Sequence, residues 1–179
     1  MLFKSLFISM YVLVLCGCIP KYTHPDAPLE DQVAVKQNSI DKNYVRVFVF
    51  PGKLELPNIN MEREFDRAID IFVNDINVGT IGNKDEMIVA DLPLGTYSFK
   101  AQLQPSDPDY RITRSSVYTI PLTEQKLFFL TANYLFENLV SSTNVEQIKP
   151  DDGNGLIASH RLVNRYILRN NLDNGSSRL

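Results

Sequence analysis

Eight residues from Thr96 to Leu103 set the strongest limit on the fold. Tyr97, Phe99, Ala101 and Leu103 fall on one side of an extended chain, and Thr96, Ser98, Lys100 and Gln102 on the other. Strict alternation over that length belongs to a β-strand with one buried and one wetted face. Such a strand needs neighbours, and a second layer to cover its apolar side. Tyr44 to Phe50 (YVRVFVF) supplies one candidate, rich in β-branched and aromatic residues and stopped by Pro51-Gly52. Its apolar groups on both faces suit a central strand covered on each side. Ile69 to Val73 (IDIFV) and Val78 to Ile81 (VGTI) flank Asn74-Asp75-Ile76-Asn77, and the pair reads as a hairpin because Asn and Asp tolerate left-handed geometry. Met87 to Leu92 ends at Pro93-Leu94-Gly95. Val117 to Leu122 and Leu127 to Asn133 are separated by Thr123-Glu124-Gln125, and Val145 to Lys149 is a last candidate.

Short strands at close spacing, with no long helix between Ile69 and Asn133, predict a mainly β domain over residues 44–150. The expected architecture is an antiparallel β-sandwich or small barrel. Met61 to Ala68 could form one or two turns of helix or remain loop. Asp151-Asp152-Gly153-Asn154-Gly155 reads as a hinge. Beyond it, Leu156, Val163 and Ile167 lie near one helical face, with Arg161, Arg165 and Arg169 at i, i+4 spacing on another. This predicts one C-terminal α-helix and a polar tail within residues 151–179.

The chain opens in a different style. Lys4 is the only charge before Lys21, and Leu6 to Cys16 (LFISMYVLVLC) is almost unbroken apolar sequence. A membrane-spanning helix needs about 20 such residues. A short cationic start, roughly 7–15 apolar residues and small residues at the end describe a secretory signal peptide, here residues 1–17. The residues alone also allow an ordinary secretory signal or an uncleaved anchor helix. Leu15-Cys16-Gly17-Cys18 resembles the lipobox of bacterial lipoproteins, with an apolar residue three before the cysteine and a small one directly before it. It departs from that pattern at Cys16, where Ala, Ser, Thr or Val is more usual. The resemblance implies that the Cys18 thiol receives a diacylglycerol, that the chain is cut before Cys18, and that the new amino terminus is acylated. One acyl chain holds a protein only marginally, at about 0.8 kcal/mol per buried CH₂, whereas several hold it stably. Ile19, in place of Asp, leans toward the outer membrane, with the domain facing the periplasm. Residues 18–43, with Pro20, Pro25 and Pro28 among polar side chains, are expected to be the lipidated N-terminus and a flexible tether of about 25–30 Å reach. The alternative is that part of this stretch adds an edge strand.

The blocks IDIFVNDINVGTIG and MIVADLPLGTYSFKA, between Ile69 and Ala101, resemble a family of small bacterial envelope proteins named only as domain of unknown function 2846. The likeness covers roughly Val45 to Asn133. It consists of turns and core positions, so it implies a fold and carries no catalytic or binding residue with it.

The chemistry sought in the chain is sparse. With 18 basic and 21 acidic residues the net charge is −3, which leaves no basic surface for phosphates and sets nucleic acid aside as an expected partner. Loss of residues 1–17 removes Lys4, and 17 basic against 21 acidic residues then give −4. Two Cys and two His are too few for a disulfide scaffold or a closed zinc site. If Cys16 leaves with the signal peptide and Cys18 carries lipid, no thiol remains. His24 lies in the expected tether and His160 beside Arg161, without a second ligand at i±4 of either. Glu62, Glu64, Asp66 and Asp70 form a loose acidic cluster that suits acid–base work or a solvated loop face. Asp107-Pro108-Asp109 and Asp151-Asp152-Gly153-Asn154 could touch Ca²⁺ weakly, but neither has the spacing of an EF-hand loop, and turn chemistry explains both. Phe128, Phe129, Tyr134 and Phe136 read as core and rim before a ligand platform. The Arg161, Arg165, Arg169 stripe faces either water or an anionic partner. No phosphate loop, Rossmann glycine set or G-x-S-x-G elbow is present. The expectation is therefore no catalytic residue, no cofactor and no metal, with lipidation at Cys18 the one assigned site. In function the chain is expected to be a membrane-anchored envelope lipoprotein, a non-enzymatic interaction or assembly module for envelope proteins that uses exposed sheet edges. The alternative is a glycan- or peptidoglycan-binding module of the periplasm, using loops such as Pro105 to Arg114. A hydrolase comes third.

Overall fold

A computed structural model describes residues 24–37, 40–55, 68–104, 113–123, 127–137 and 140–169. Within them helix α1 spans Leu29–Lys36, and strands β1 to β5 span Tyr44–Glu55, Ile69–Val73, Ile76–Ile81, Glu86–Pro93 and Gly95–Leu103. Strands β6 to β9 follow at Thr113–Ser115, Val117–Leu122, Leu127–Glu137 and Val140–Gln147. Helix α2 covers Pro150–Ser159, and β10 covers Arg161–Ile167. The strands form a six-stranded sheet in the order β10-β4-β1-β8-β9-β6 and a four-stranded sheet in the order β3-β2-β5-β7.

The two sheets face one another, and the mainly β sandwich expected from the alternating strands is what forms. The octet behaves as its period demands: Tyr97, Phe99, Ala101 and Leu103 are buried, and their alternate neighbours are not. They pack with Ile69, Ile71 and Val73 from their own sheet against Val45, Val47, Val49, Ile88 and Leu130 from the other. The hairpin turn carries positive φ at Asn74 (47°) and Asp75 (64°), the primed turn that matches the twist of its strands. The smaller sheet is antiparallel throughout. The larger is mixed, because β1 runs parallel to β8, β10 parallel to β4, and β6 parallel to β9.

Strand β1 is central, between β4 and β8, and its residues 45–50 are all buried. Its outward residues Phe48 and Phe50 meet Phe129 of β8 in a stack with centroids 5.3–6.5 Å apart. With Met87, Val89 and Leu162 they form a second apolar cluster on the far face of the six-stranded sheet. Both helices cover this cluster. Val35 of α1 and Ala27 just before it are buried there, and Leu156 and Ile157 of α2 pack against it. Gly153 brings α2 so close that a Cβ at that position would lie 2.2 Å from Phe129 Cγ.

Two expectations change. Residues 18–43 are not tether throughout: from His24 the chain belongs to the body, with Ala27 N–H donating to Leu162 C=O and α1 docked on the sheet. Nor do the described residues of this stretch add a strand. The C-terminal helix is present, but over Pro150–Ser159, so the expected hinge at 151–155 is helical. Residues 161–167, expected to continue that helix, instead form β10 beside β4. Between Leu162 and Asn164 the register shifts by one residue. Such a bulge inverts the side-to-side alternation of the strand. Leu162 and Arg165, three apart, therefore both face the helices.

Candidate functional site

Two polar constructions stand out on the six-stranded sheet. The first is an ionic clasp. Arg46 of β1 and Asp91 of β4 stand opposite each other in register, both buried. Arg46 donates from Nε to Asp91 Oδ1 (2.7 Å), from Nη2 to Oδ2 (2.9 Å), and from Nη1 to the Ala34 carbonyl of α1 (3.1 Å). Arg165 of β10 adds Nε and Nη2 donors to Asp91 Oδ2 at 2.9 and 2.7 Å, and reaches Asp31 of α1 at 3.1 Å. The fork of each guanidinium satisfies a carboxylate that could not otherwise stay charged in a sheet interior.

Glu86, at the start of β4 and fully buried, forms a second node. Its carboxylate accepts from Gly82 N (2.6 Å), His24 N (3.2 Å), the Asn83 amide and Arg161 Nη2. His24 Nδ1 lies 3.0 Å from Oε2. Burial pushes the Glu86 pKa up, but the Gly82, His24 and Asn83 hydrogen bonds more than reverse it, and the group is held below the ordinary glutamate value of 4.5. An ionised carboxylate only accepts, so His24 Nδ1 carries the proton. Arg161 also donates to the His24 carbonyl (2.7 Å) and to Asp26 (2.8 Å). Burial works against its charge, and the Asp26 hydrogen bond with the charges of Glu86 and Asp85 outweighs it, raising its pKa.

His24 therefore has the oriented shell that its place in an expected tether denied it. Two of the three stripe arginines turn inward onto carboxylates instead of facing a partner. His160 caps α2, its Nδ1 2.8 Å from the Leu156 carbonyl and its ring edge-on to Phe50 at 5.0 Å. Asp70 is tied to Thr80 (2.5 Å) and Gln104 (2.9 Å). Asp151 and Asp152 occupy the first turn of α2, where acidic residues complement the helix dipole. Phe129 and Tyr134 are core residues. Cys18, the acidic trio Glu62, Glu64 and Asp66, the Asp107-Pro108-Asp109 turn and most of the Pro105–Arg114 loop lie outside the described residues. Among the described residues no group of His, Cys, Asp and Glu is placed to hold a metal ion, and no helix is long and apolar enough to cross a membrane.

The second construction is a groove that sequence reasoning missed. Helix α2 covers the outer sheet face at Phe129, and among the described residues no helix covers the rest of β8 and β9. There the outward positions are Thr131, Asn133 and Leu135 on β8 and Ser142, Asn144 and Glu146 on β9, with Asn133 directly opposite Asn144. The inward positions Ser141, Thr143 and Val145 are buried, and Thr143 Oγ1 donates to the Ala101 carbonyl across the sandwich (2.5 Å). One wall is the irregular Pro51-Gly52-Lys53 stretch of β1. It is pinned by Lys53 N–H to Asn133 Oδ1 (3.1 Å), over a Gly52 whose Cβ would fall 1.9 Å from that oxygen. The other wall is β6 with Ser116, which donates from N to Thr143 C=O at 3.0 Å. The groove measures about 830 Å³. That volume lies within the range of ligand clefts. Its lining offers hydroxyls and amides on rigid strands, Lys53 and Arg114 as cations, and Glu146 as the anion, steadied by Asn144 Nδ2 at 2.9 Å. Neither histidine lines it. The arrangement can bind by hydrogen bonding.

Compared with family models, with curated proteins and with solved structures, the chain matches none.

Proposed function

We propose that this chain is a lipoprotein anchored in a bacterial envelope through acylated Cys18, on the periplasmic side of the outer membrane, and that it works as a non-enzymatic interaction module for an envelope protein. The observation that carries the binding role is the groove over β8 and β9. Among the described residues it is a part of the outer sheet face that no helix covers, and hydrogen-bonding side chains line it at strand spacing. It runs beside β6, a three-residue strand at the sheet edge, where an extended segment of a partner can add main-chain hydrogen bonds. The anchoring half of the reading rests on the LCGC sequence and the apolar run before it.

The test combines Ser142→Arg and Asn144→Arg in the full chain. Both side chains point outward, so stability is expected to change by no more than about 0.5 kcal/mol each, while partners cross-linked in intact envelopes are lost. Retention of the same partners by the variant would overturn the groove as the binding face. A second reading is favoured by the uncharged array of Thr131, Asn133, Ser142 and Asn144, which suits the hydroxyls of a glycan. Retention of the wild-type domain on purified sacculi, abolished by the same pair of substitutions, would move the assignment there. For the anchor, Cys18→Ser is expected to send the protein from the detergent phase to the aqueous phase; unchanged partitioning would overturn it.

A further inference from the structure

We infer that helix α1 is a membrane-contact surface, which holds the domain against the bilayer in one orientation; this rests on the lipid anchor at Cys18 proposed above. The argument starts from length. His24 is fixed to Glu86 through both its backbone N–H and its ring, and Arg161 holds the His24 carbonyl and Asp26. Chain freedom between lipid and body therefore ends at residue 24. From Cys18 to His24 is six residues, and a fully extended chain covers at most about 3.3–3.6 Å per residue, so the anchored terminus lies within about 20 Å of the clasp.

Helix α1 follows that fixed point directly, and its two faces differ. Val35 is 3% exposed, packed on the sheet, whereas Leu29 is 75% and Val33 40% exposed. Leu29 and Val33 stand one turn apart on the outer side of the helix, so they form one apolar spot. Arg165 binds Asp31 between them from below and sets the rotation of the helix, which keeps that spot turned outward. Two such side chains could not recruit a free protein to lipid. On a short leash they need not, because tethering supplies an effective concentration in the millimolar range. Charge argues for apolar seating over attraction to headgroups: Glu30 and Asp26 are exposed beside the spot, with Lys36 at the far end of the helix. The occupant is thus the interfacial region of the bilayer itself, entered by Leu29 and Val33.

The proposed mature chain makes the test clean, since its one cysteine, Cys18, is a lipid thioether and leaves no free thiol. Full-length protein carrying Leu29→Cys, labelled with an environment-sensitive fluorophore, is reconstituted into phosphatidylcholine vesicles containing brominated lipid. Ile76→Cys, an exposed position in the β2–β3 turn region of the other sheet, serves as the reference. The expected result is a blue-shifted, bromine-quenched emission at position 29 and a water-like, unquenched emission at position 76. Equal quenching at both positions, or at neither, in protein that floats with the vesicles overturns the contact while leaving the anchor intact. Failure of the wild-type protein to float overturns the anchor and this inference with it.

Discussion

Asp91 answers to two arginines at once, and that makes it the most consequential single side chain described. Removing one partner of a buried pair costs about 3–5 kcal/mol, because the charge left behind has no solvent. Asp91→Asn removes the carboxylate that Arg46 and Arg165 share, so its unfolding free energy is expected to fall by an amount in that range, read as a lower urea midpoint. Asp31→Ala removes a single bond at a partly exposed site and should cost no more than about 1 kcal/mol. Equal losses in the two variants, measured by urea unfolding, would refute the ranking. Glu86 makes a prediction in pH. Its folded pKa lies below 4.5, so its contribution to stability is complete above that value and is lost as pH falls beneath it. Glu86→Gln should be less stable than wild type at pH 7 and should show a flatter stability profile below pH 4.5. A parallel decline in both proteins would show that another carboxylate governs the acid limb.

Helix α2 offers a test with opposite signs at its two glycines. An exposed helical glycine replaced by alanine normally gains about 0.5–1 kcal/mol. At Gly155 nothing lies within 4 Å of the new methyl, so Gly155→Ala is expected to raise the melting temperature. At Gly153 the same methyl would meet the buried Phe129 ring, and Gly153→Ala should instead cost about 1–3 kcal/mol. Two gains, or two losses, in calorimetry would mean that α2 is not seated on Phe129. The same region shows where the sequence was readable and where it was not. Strands with one clean apolar face, such as β5, announced themselves. The stretch from Arg161 to Arg169 did not, because a spacing of four is close to the helical period and is also an even number, so Arg161 and Arg165 fit a helix face and a strand face alike. The bulge at Val163 then broke the alternation that would have decided it. Helix α1 was masked by its inverted polarity, with Leu29 and Val33 outside; Pro28 before it and Glu30-Asp31 in its first turn were the available start signals. The groove stayed hidden because β9 buries Ser141 and Thr143 as well as Val145, so hydroxyls occupy both sides and no polarity contrast marks the open one.

At the level of the whole molecule, the body is closed by its two ends. A domain boundary at residue 44 would discard Ala27, Val35, Asp31 and His24, uncovering the Phe48, Phe50, Met87 cluster and leaving Arg165 and Glu86 short of partners. A soluble chain beginning at residue 24 is therefore expected to unfold cooperatively, whereas one beginning at residue 44 should bind a hydrophobic dye or precipitate. Comparable thermal transitions in the two would contradict the docking of α1. The clasp also orders events in time. Arg161 reaches back 137 positions to the His24 carbonyl, and the last described strand carries the arginine of Glu86 and the second arginine of Asp91. Until that strand has emerged from the ribosome or a translocation pore, Glu86 lacks its arginine and Asp91 has Arg46 but not Arg165. A nascent chain of this kind cannot lock progressively from its beginning. It waits, pliable and open to chaperones, and sets only when nearly all of it has been delivered.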